Sequence, residues 1–356
     1  MARKFIDGFE GGNPGLWDSY NPGDPEEVYV VHSEDAIFDT WEPPTVGDYC
    51  LYAEGSSAEY LVQKSLTVLD FDDPTTMCFK LRIQALDTSV SRGNFIRFKN
   101  AALTTLATIA IEGGYVRYYT GGVSETAAAT LALSNLTWYL LNIKFTLGTE
   151  DVADGNVQIN IDGVDYYNSY ESGVPIITND NCSDNAIATV QLFAYSYSEF
   201  MFDDFVLDDE DLPGDGYIKG LFPVAQGADN WIGSDSPKVE QVQDVGTYGE
   251  VDGSYIYTST AALRDSYTID SAAEMESIYC VQVCARARRQ GTPNITRISP
   301  YVTRGVTDYD GDPKTLSLTV FSTVFAIWET DPSTGSDWEP ADVSSAKIGV
   351  LSVAPA

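Results

Sequence analysis

Histidine is almost missing from this chain: His32 is the single one in 356 residues. A Ser-His-Asp or Cys-His triad would have to use it. No Gly-x-Ser-x-Gly elbow accompanies it, and it closes the apolar run Tyr29-Val-Val-His32, which reads as strand. The same scarcity excludes a histidine-rich metal site. Positive charge is also in short supply. Lys and Arg number 20 against 53 Asp and Glu, for a formal net charge of −33. That argues against nucleic acid as a partner, because phosphate contacts need a positive face, and it favours solubility through mutual repulsion. No stretch approaches the length of a membrane-spanning apolar run, so no membrane association is expected. Arg3 and Lys4 are followed by Phe-Ile-Asp-Gly-Phe rather than an apolar core, so no cleavable signal peptide is expected. Walker A and helix-opening GxGxxG sequences are absent. The five cysteines, Cys50, Cys78, Cys182, Cys280 and Cys284, are odd in number and carry no CxxC spacing. Cys280 and Cys284, read as one strand, would lie ~13 Å apart, too far to bond. Buried free thiols are the expectation.

What is present is apolar material in alternation. Hydrophobic residues make up 44% and aromatics 12%, ample for real cores. Phe79, Leu81, Ile83 and Ala85 share one face, with Lys80, Arg82 and Gln84 opposite. Leu141, Ile143, Phe145 and Leu147 repeat the pattern, as do Val157, Ile159 and Ile161. These are half-buried antiparallel strands. No long helical stripe competes, although short helical turns are expected near Thr126 to Leu133 and Ala272 to Ser277. Many strands separated by Gly, Asn and Asp turns predict an all-β protein built of sandwiches or jelly rolls. The stretch Glu199 to Asp215 has eight carboxylates and no cation, and the segment from Asp208 to Gly216 includes Pro213, Gly214 and Gly216. This marks a linker. The expected layout is a first domain over 1–211, an acidic Gly/Pro linker over 212–219, and a smaller β-sandwich over 220–356.

Three blocks of the first domain resemble the laminin-G/concanavalin-A-like superfamily. They are Phe5-Ile-Asp-Gly-Phe9 with Leu16-Trp17, then Trp138 to Phe145 with Val157 to Gly163, then Phe202-Asp203-Asp204-Phe205-Val206-Leu207. The resemblance implies a concanavalin-A-like jelly roll, a fold rather than an activity. In the second domain, Ile327-Trp328-Glu329-Thr330-Asp331-Pro332 through Trp338 resembles a C-terminal segment of tailed-bacteriophage structural proteins. Asp229-Asn-Trp231, Val281 to Arg288 and Asp308-Tyr-Asp-Gly311 belong to the same pattern. That resemblance implies a virion structural protein, a capsid decoration or a tail or fibre component. Such a protein would be assembled in the bacterial host cytoplasm and bound to other virion proteins. Repetition by symmetry would make it a homo-oligomer, with a trimer favoured.

Chemistry is harder to find. Glycoside hydrolysis needs two placed carboxylates, and Asp203 and Asp204, adjacent in a strand, are expected to point to opposite faces. A non-enzymatic protein is therefore expected, with a carbohydrate-active enzyme as the competing reading. Calcium is the candidate cation, since it takes several carboxylate and carbonyl oxygens. Asp180 and Asp184 in one loop, the acidic stretch Asp208 to Asp215, and Asp308, Asp310 and Asp312 in a third offer them. The third equally fits a hairpin turned at Asp310-Gly311. Phe193, Tyr195 and Tyr197 would line one strand face as a glycan-stacking or interface strip, or lie buried beneath a loop. Glycan binding would make the chain a host-surface adhesin. Arg286 and Arg288 form a basic patch suited to an acidic neighbour or to internal ion pairs. Trp328 and Trp338 flank a turn that serves either core packing or an interface.

Overall fold

The computed structural model describes residues 3–9, 17, 19–21, 28–32, 43, 49–55, 60–66, 76–89, 92–120, 124–148, 155–170, 186–195, 198–209, 211–234, 237–242, 255–290, 294–318 and 321–355. The chain forms two compact units, Met1–Lys219 and Gly220–Ala356.

The first unit contains β1 (Arg3–Asp7), β2 (Ser19–Asn21), β3 (Val28–His32), β4 (Tyr49–Glu54), β5 (Tyr60–Ser65), β6 (Thr76–Ala85), β7 (Gly93–Lys99), β8 (Thr105–Glu112), β9 (Tyr115–Thr120), β10 (Ser124–Ala132), β11 (Tyr139–Thr146), β12 (Asn156–Ile161), β13 (Val164–Asn168), β14 (Thr189–Ala194) and β15 (Glu199–Asp208). They make two antiparallel sheets. The eight-stranded sheet runs β13-β12-β11-β6-β15-β4-β3 with β1 also on β15, and the seven-stranded sheet runs β10-β9-β8-β7-β14-β5-β2. Alternation turns one face of each sheet inward, and rings close the gap. Phe98 on the seven-stranded sheet meets Phe79 at 5.6 Å and Phe145 at 4.9 Å on the other sheet, and Phe95 meets Phe200 at 5.8 Å. The architecture is an all-β jelly-roll sandwich, as the strand pattern predicts.

Turn chemistry fits the ladders. Asp162 and Gly163 both take positive φ (51° and 81°) between the paired β12 and β13, the geometry of a two-residue type I′ hairpin. The opening block is a knot around one carboxylate. Asp7 accepts hydrogen bonds from the Phe9 amide (2.8 Å) and Trp17 Nε1 (2.9 Å), while Trp17 packs edge-on to Phe5 at 5.2 Å.

Two expectations give way. The alanine-rich stretch Thr126 to Leu133 is not a helical turn: residues up to Ala132 are strand β10, paired with β9. Helix propensity is a weak prior, and a waiting sheet edge overrides it. Ala272 to Ser277 is a turn with the Met275 amide bonded to the Ala272 carbonyl at 3.0 Å. Strict alternation also fails in β15. Its register with β6 shifts between Asp203 and Val206, and Asp204 sits at φ 52°. This is a β-bulge, so the two adjacent carboxylates do not simply alternate. Asp204, fully buried, takes Arg82 Nε at 2.6 Å and the Ile218 amide at 2.5 Å. Lys80 donates to the Gly216 carbonyl at 2.8 Å. The 212–219 stretch is thus pinned to the first unit rather than hanging as a spacer.

The second unit holds β16 (Pro223–Gln226), β17 (Ile232–Gly233), α1 (Lys238–Val242), β18 (Ile256–Tyr257), β19 (Arg264–Ile269), β20 (Val281–Ala287), β21 (Arg297–Arg304), β22 (Thr307–Asp310), β23 (Lys314–Thr315), β24 (Ser322–Trp328), α2 (Pro340–Ser345) and β25 (Lys347–Val353). A six-stranded sheet runs β16-β19-β25-β21-β22 with β23 on β21, beside the hairpin β17-β18 and the ribbon β20-β24. The ribbon lays Val324, Ala285 and Ala287 against Ile298 and Leu316 of the larger sheet region, giving a small sandwich. Gly311 permits the close approach, since a Cβ there would lie 2.3 Å from that of Ala326.

Candidate functional site

The seven-stranded sheet of the first unit carries one feature that packing does not require. Its register lines up a polar residue across five neighbouring strands. From β5 to β9 they are Gln63, Gln191, Arg97, Thr108 and Tyr119. At ~4.8 Å between strands the row spans on the order of 20 Å. It lies on the side away from the sandwich interior, because Arg97 neighbours the inward Phe98 and Gln191 lies between the inward-facing Val190 and Leu192.

Local contacts fix the row's middle. Gln191 Nε2 donates to Gln63 Oε1 at 2.7 Å, and the buried Gln191 Oε1 has no hydrogen-bond partner among the described residues. Two guanidinium groups lie flat on rings: Arg97 is 4.3 Å from the Phe193 centroid and Arg92 is 3.8 Å from that of Tyr119. Stacking of this kind positions a cation while leaving its edge N–H groups for other acceptors. Arg92 Nε also donates to Asn94 at 2.9 Å, and the Tyr119 hydroxyl donates to Glu112. Thr108, Gln191 and Tyr119 are buried, while Gln63 and Arg97 are half-buried, so the row is partly roofed. Amides, hydroxyls and guanidiniums in a line can hold a polyhydroxylated or anionic chain. A pair of carboxylates across one bond is not among them.

The residues singled out from sequence fare differently. Phe193 is fully buried under Arg97 and is no exposed stacking platform. Tyr195 lies past the end of β14, 38% exposed, its carbonyl accepting from Ser198 Oγ at 2.7 Å. Tyr197, Asp180, Asp184 and Cys182 fall outside the described residues. Asp308 and Asp310 are not a cation loop. They are β22 residues gripping Arg264, at 3.3 Å from Asp308 and 2.5 Å from Asp310. Arg264 is held further above its ordinary range, chiefly by the Asp310 hydrogen bond. The hairpin turns at Gly305 (φ 62°) rather than at Gly311, and Asp312 follows β22 with an exposed side chain. The acidic stretch beyond Asp208 makes backbone turns and fastenings, such as the Asp211 amide on Asp208 at 3.2 Å. Among the described residues no three His, Cys, Asp or Glu side chains are grouped to hold a metal ion.

Trp338 is core, 2% exposed, with Nε1 donating to the Trp328 carbonyl at 2.9 Å. Trp328 packs against the same cluster. Arg304 beneath Trp338 pairs with the buried Asp331 at 3.1 Å and with Asp342. Burial opposes ionisation of Asp331, but Arg304 and the Ser333 donors outweigh it and hold the carboxyl low. Arg286 and Arg288 both lie over the Phe321 ring, at 5.5 and 4.5 Å. Cys50 and Cys78 are buried thiols, the latter pushed up to about 12 by burial. Cys284, against expectation, is exposed. His32 ends the strand β3, its ring 4.8 Å from Tyr49.

No family model matches the chain, and no curated protein matches it. Among solved structures it is similar to the cellulose-induced protein Cip1, with 12% identity over 58% of this chain and 97% of that one, at a TM-score of 0.40. The globular domain of T. cruzi calreticulin gives 11% identity over 58% and 88%, at 0.35. The alginate lyase Aly36B gives 14% over 48% and 84%, at 0.29. Likenesses this distant leave the fold assignment resting on the chain's own sheets.

Proposed function

We propose that this chain is a non-enzymatic virion structural protein displayed on the particle exterior, whose first unit binds an extended glycan along the seven-stranded sheet. The observation that carries the binding reading is the polar row, one hydrogen-bonding residue per strand over five neighbouring strands from Gln63 to Tyr119. A sheet face covered only by its own loops gains nothing from a buried glutamine with an unfilled acceptor, which costs about 1–3 kcal/mol. A ligand hydroxyl that donates to Gln191 Oε1 recovers that cost, and the Arg97 guanidinium places a positive charge on the neighbouring strand. The ligand class is a polysaccharide rich in hydroxyl and carboxylate groups. Virion placement is supported by the segment Ile327 to Trp338, which resembles a C-terminal segment of tailed-phage structural proteins.

The test is a glycan array and titration calorimetry on the full chain. Arg97→Ala and Gln191→Ala should each weaken binding at least tenfold while the melting temperature stays within a few degrees. A wild-type chain that binds no glycan on a broad panel of neutral and anionic polysaccharides removes the binding reading. Locating the chain's density in images of intact particles tests the virion reading separately.

A further inference from the structure

The small hairpin β17-β18 of the second unit turns an apolar face to solvent. Ile232 stands directly opposite Tyr257, so the two side chains share that face. Tyr255, two residues before Tyr257, points the same way, and its ring lies 5.9 Å from that of Tyr257, tilted by 53°. Ile232, Tyr257 and Tyr255 are 57%, 47% and 45% exposed. A single exposed apolar side chain is ordinary, but three on one face of a short ribbon make a patch. Neither tyrosine hydroxyl is hydrogen-bonded among the described residues. The opposite side of the hairpin is anchored. Trp231 packs against the cluster of Ile298, Leu316 and Val324, and its Nε1 donates to the Leu263 carbonyl at 3.2 Å. The ladder also runs past Tyr257: the Ser234 amide donates to the Tyr255 carbonyl at 2.9 Å, and the Tyr255 amide to Ser234 Oγ at 3.0 Å. The two rings are therefore presented on a fixed base.

Area and charge say what fits them. Half-exposed, the three side chains offer on the order of 300 Å². That is well below the ~800 Å² per partner of a stable protein complex. It suits one or two sugar rings, whose C–H faces pack on aromatic faces while their hydroxyls bond at the rim. Positions 231–234 and 255–258 hold no charged side chain. Lys238, which donates to the Trp231 carbonyl, is paired with Asp229. In a chain of net charge −33, an anionic ligand would be repelled from such a place. We infer that Ile232, Tyr255 and Tyr257 form a binding site for a neutral pyranose, one or two rings of an uncharged oligosaccharide. The tyrosine rings pack on the sugar, and their hydroxyls bond its edge. The site differs in kind from the polar row of the first unit and does not rest on it.

The experiment is saturation-transfer NMR on the full chain, with the methyl glycosides of glucose, galactose, mannose and N-acetylglucosamine as probes, followed by calorimetric titration of those that respond. At least one probe should bind in the millimolar range. Tyr255→Ala and Tyr257→Ala should each weaken binding at least tenfold, with the melting temperature within a few degrees of wild type. Tyr257→Phe keeps the ring and loses the hydroxyl, and should weaken binding less than Tyr257→Ala. Absence of transfer to all four probes at millimolar concentration overturns the inference, as does binding that survives both alanine changes. Binding lost in Gln191→Ala but kept in Tyr257→Ala would assign the sugar to the first unit and overturn it equally. A concentration-dependent dimer that Tyr257→Ala dissolves would make the patch a contact between copies and overturn it too.

Discussion

The two units reach a folded state by different routes. In the first, two sheets bury rings against one another until phenylalanines such as Phe79, Phe98, Phe145 and Phe202 lose all exposure. In the second, buried apolar side chains are fewer, and strands such as β24 and β25 are half-exposed along most of their length. Carboxylates do the fastening there. Asp265, fully buried, accepts from the amides of Asn230 (2.9 Å) and Trp231 (3.1 Å) and from the Tyr267 hydroxyl (2.6 Å). Asp331 organises the turn that returns Trp338 to the core, bonding Ser333 through its carboxylate and Gly335 through its carbonyl. Ring packing is non-directional and gains with area. A buried carboxylate knot is directional, specifying one loop path with few residues, but it fails sharply when one partner goes. The second unit therefore has less apolar margin and leaves more side-chain surface for neighbours.

The sharpest way to break this contrast is to hollow the first unit. Phe98→Ala removes a ring touching both Phe79 and Phe145 and should cost about 3–5 kcal/mol. Calorimetry should show the first unit's transition falling while the second's stays; a joint fall would mean that the units do not unfold independently. Acidity provides a second lever of similar size. Burial raises Asp7 to about 7, against the lowering effects of the Phe9 amide, Trp17 and Lys64. The folded unit therefore holds a proton that the unfolded chain, with its carboxyl near 3.8, has already released. Stability from this group is full below about pH 4, declines as pH rises, and levels off above about 7. The total is on the order of 4 kcal/mol. Denaturation midpoints measured from pH 4 to 8 should show that decline, and Asp7→Asn should flatten it.

Next in size, Asp265→Ala strands the Asn230 and Trp231 amides and should cost the second unit about 3 kcal/mol, read from its own transition. Arg304→Met leaves Asp331 buried without its cation and belongs in the same range, about 3 kcal/mol. If either variant melts like the wild type, the second unit is not held by its carboxylates and the contrast collapses. The smallest effect belongs to the partly exposed pairing of Arg264 with Asp308 and Asp310. Asp308→Asn there should change stability by less than about 1 kcal/mol, and salt should erase the difference.

How much of this was legible beforehand varies by element. Strands such as β6 and β11 follow directly from Phe79-x-Leu81-x-Ile83 and Leu141-x-Ile143-x-Phe145. The hairpin at Asp162-Gly163 declares itself by its turn residues. The Asp204 bulge does not, because an extra residue in one strand is defined only against its partner. Nor does the polar row: Gln63, Arg97, Thr108, Tyr119 and Gln191 are scattered over more than a hundred positions and become one line only through register. The aromatic strip expected at Phe193 to Tyr197 fails for a related reason. Alternation places Phe193 on the outer face but is silent about the Arg97 that covers it.

Sequence by itself determined the period of two, turns such as Asp162-Gly163 and the strongly acidic charge balance, because these are properties of neighbouring residues and of composition. Tertiary structure decided which strands pair, in what register, and which carboxylate meets which cation. Those choices join residues far apart in the chain, where the free energy depends on a partner that local pattern does not name.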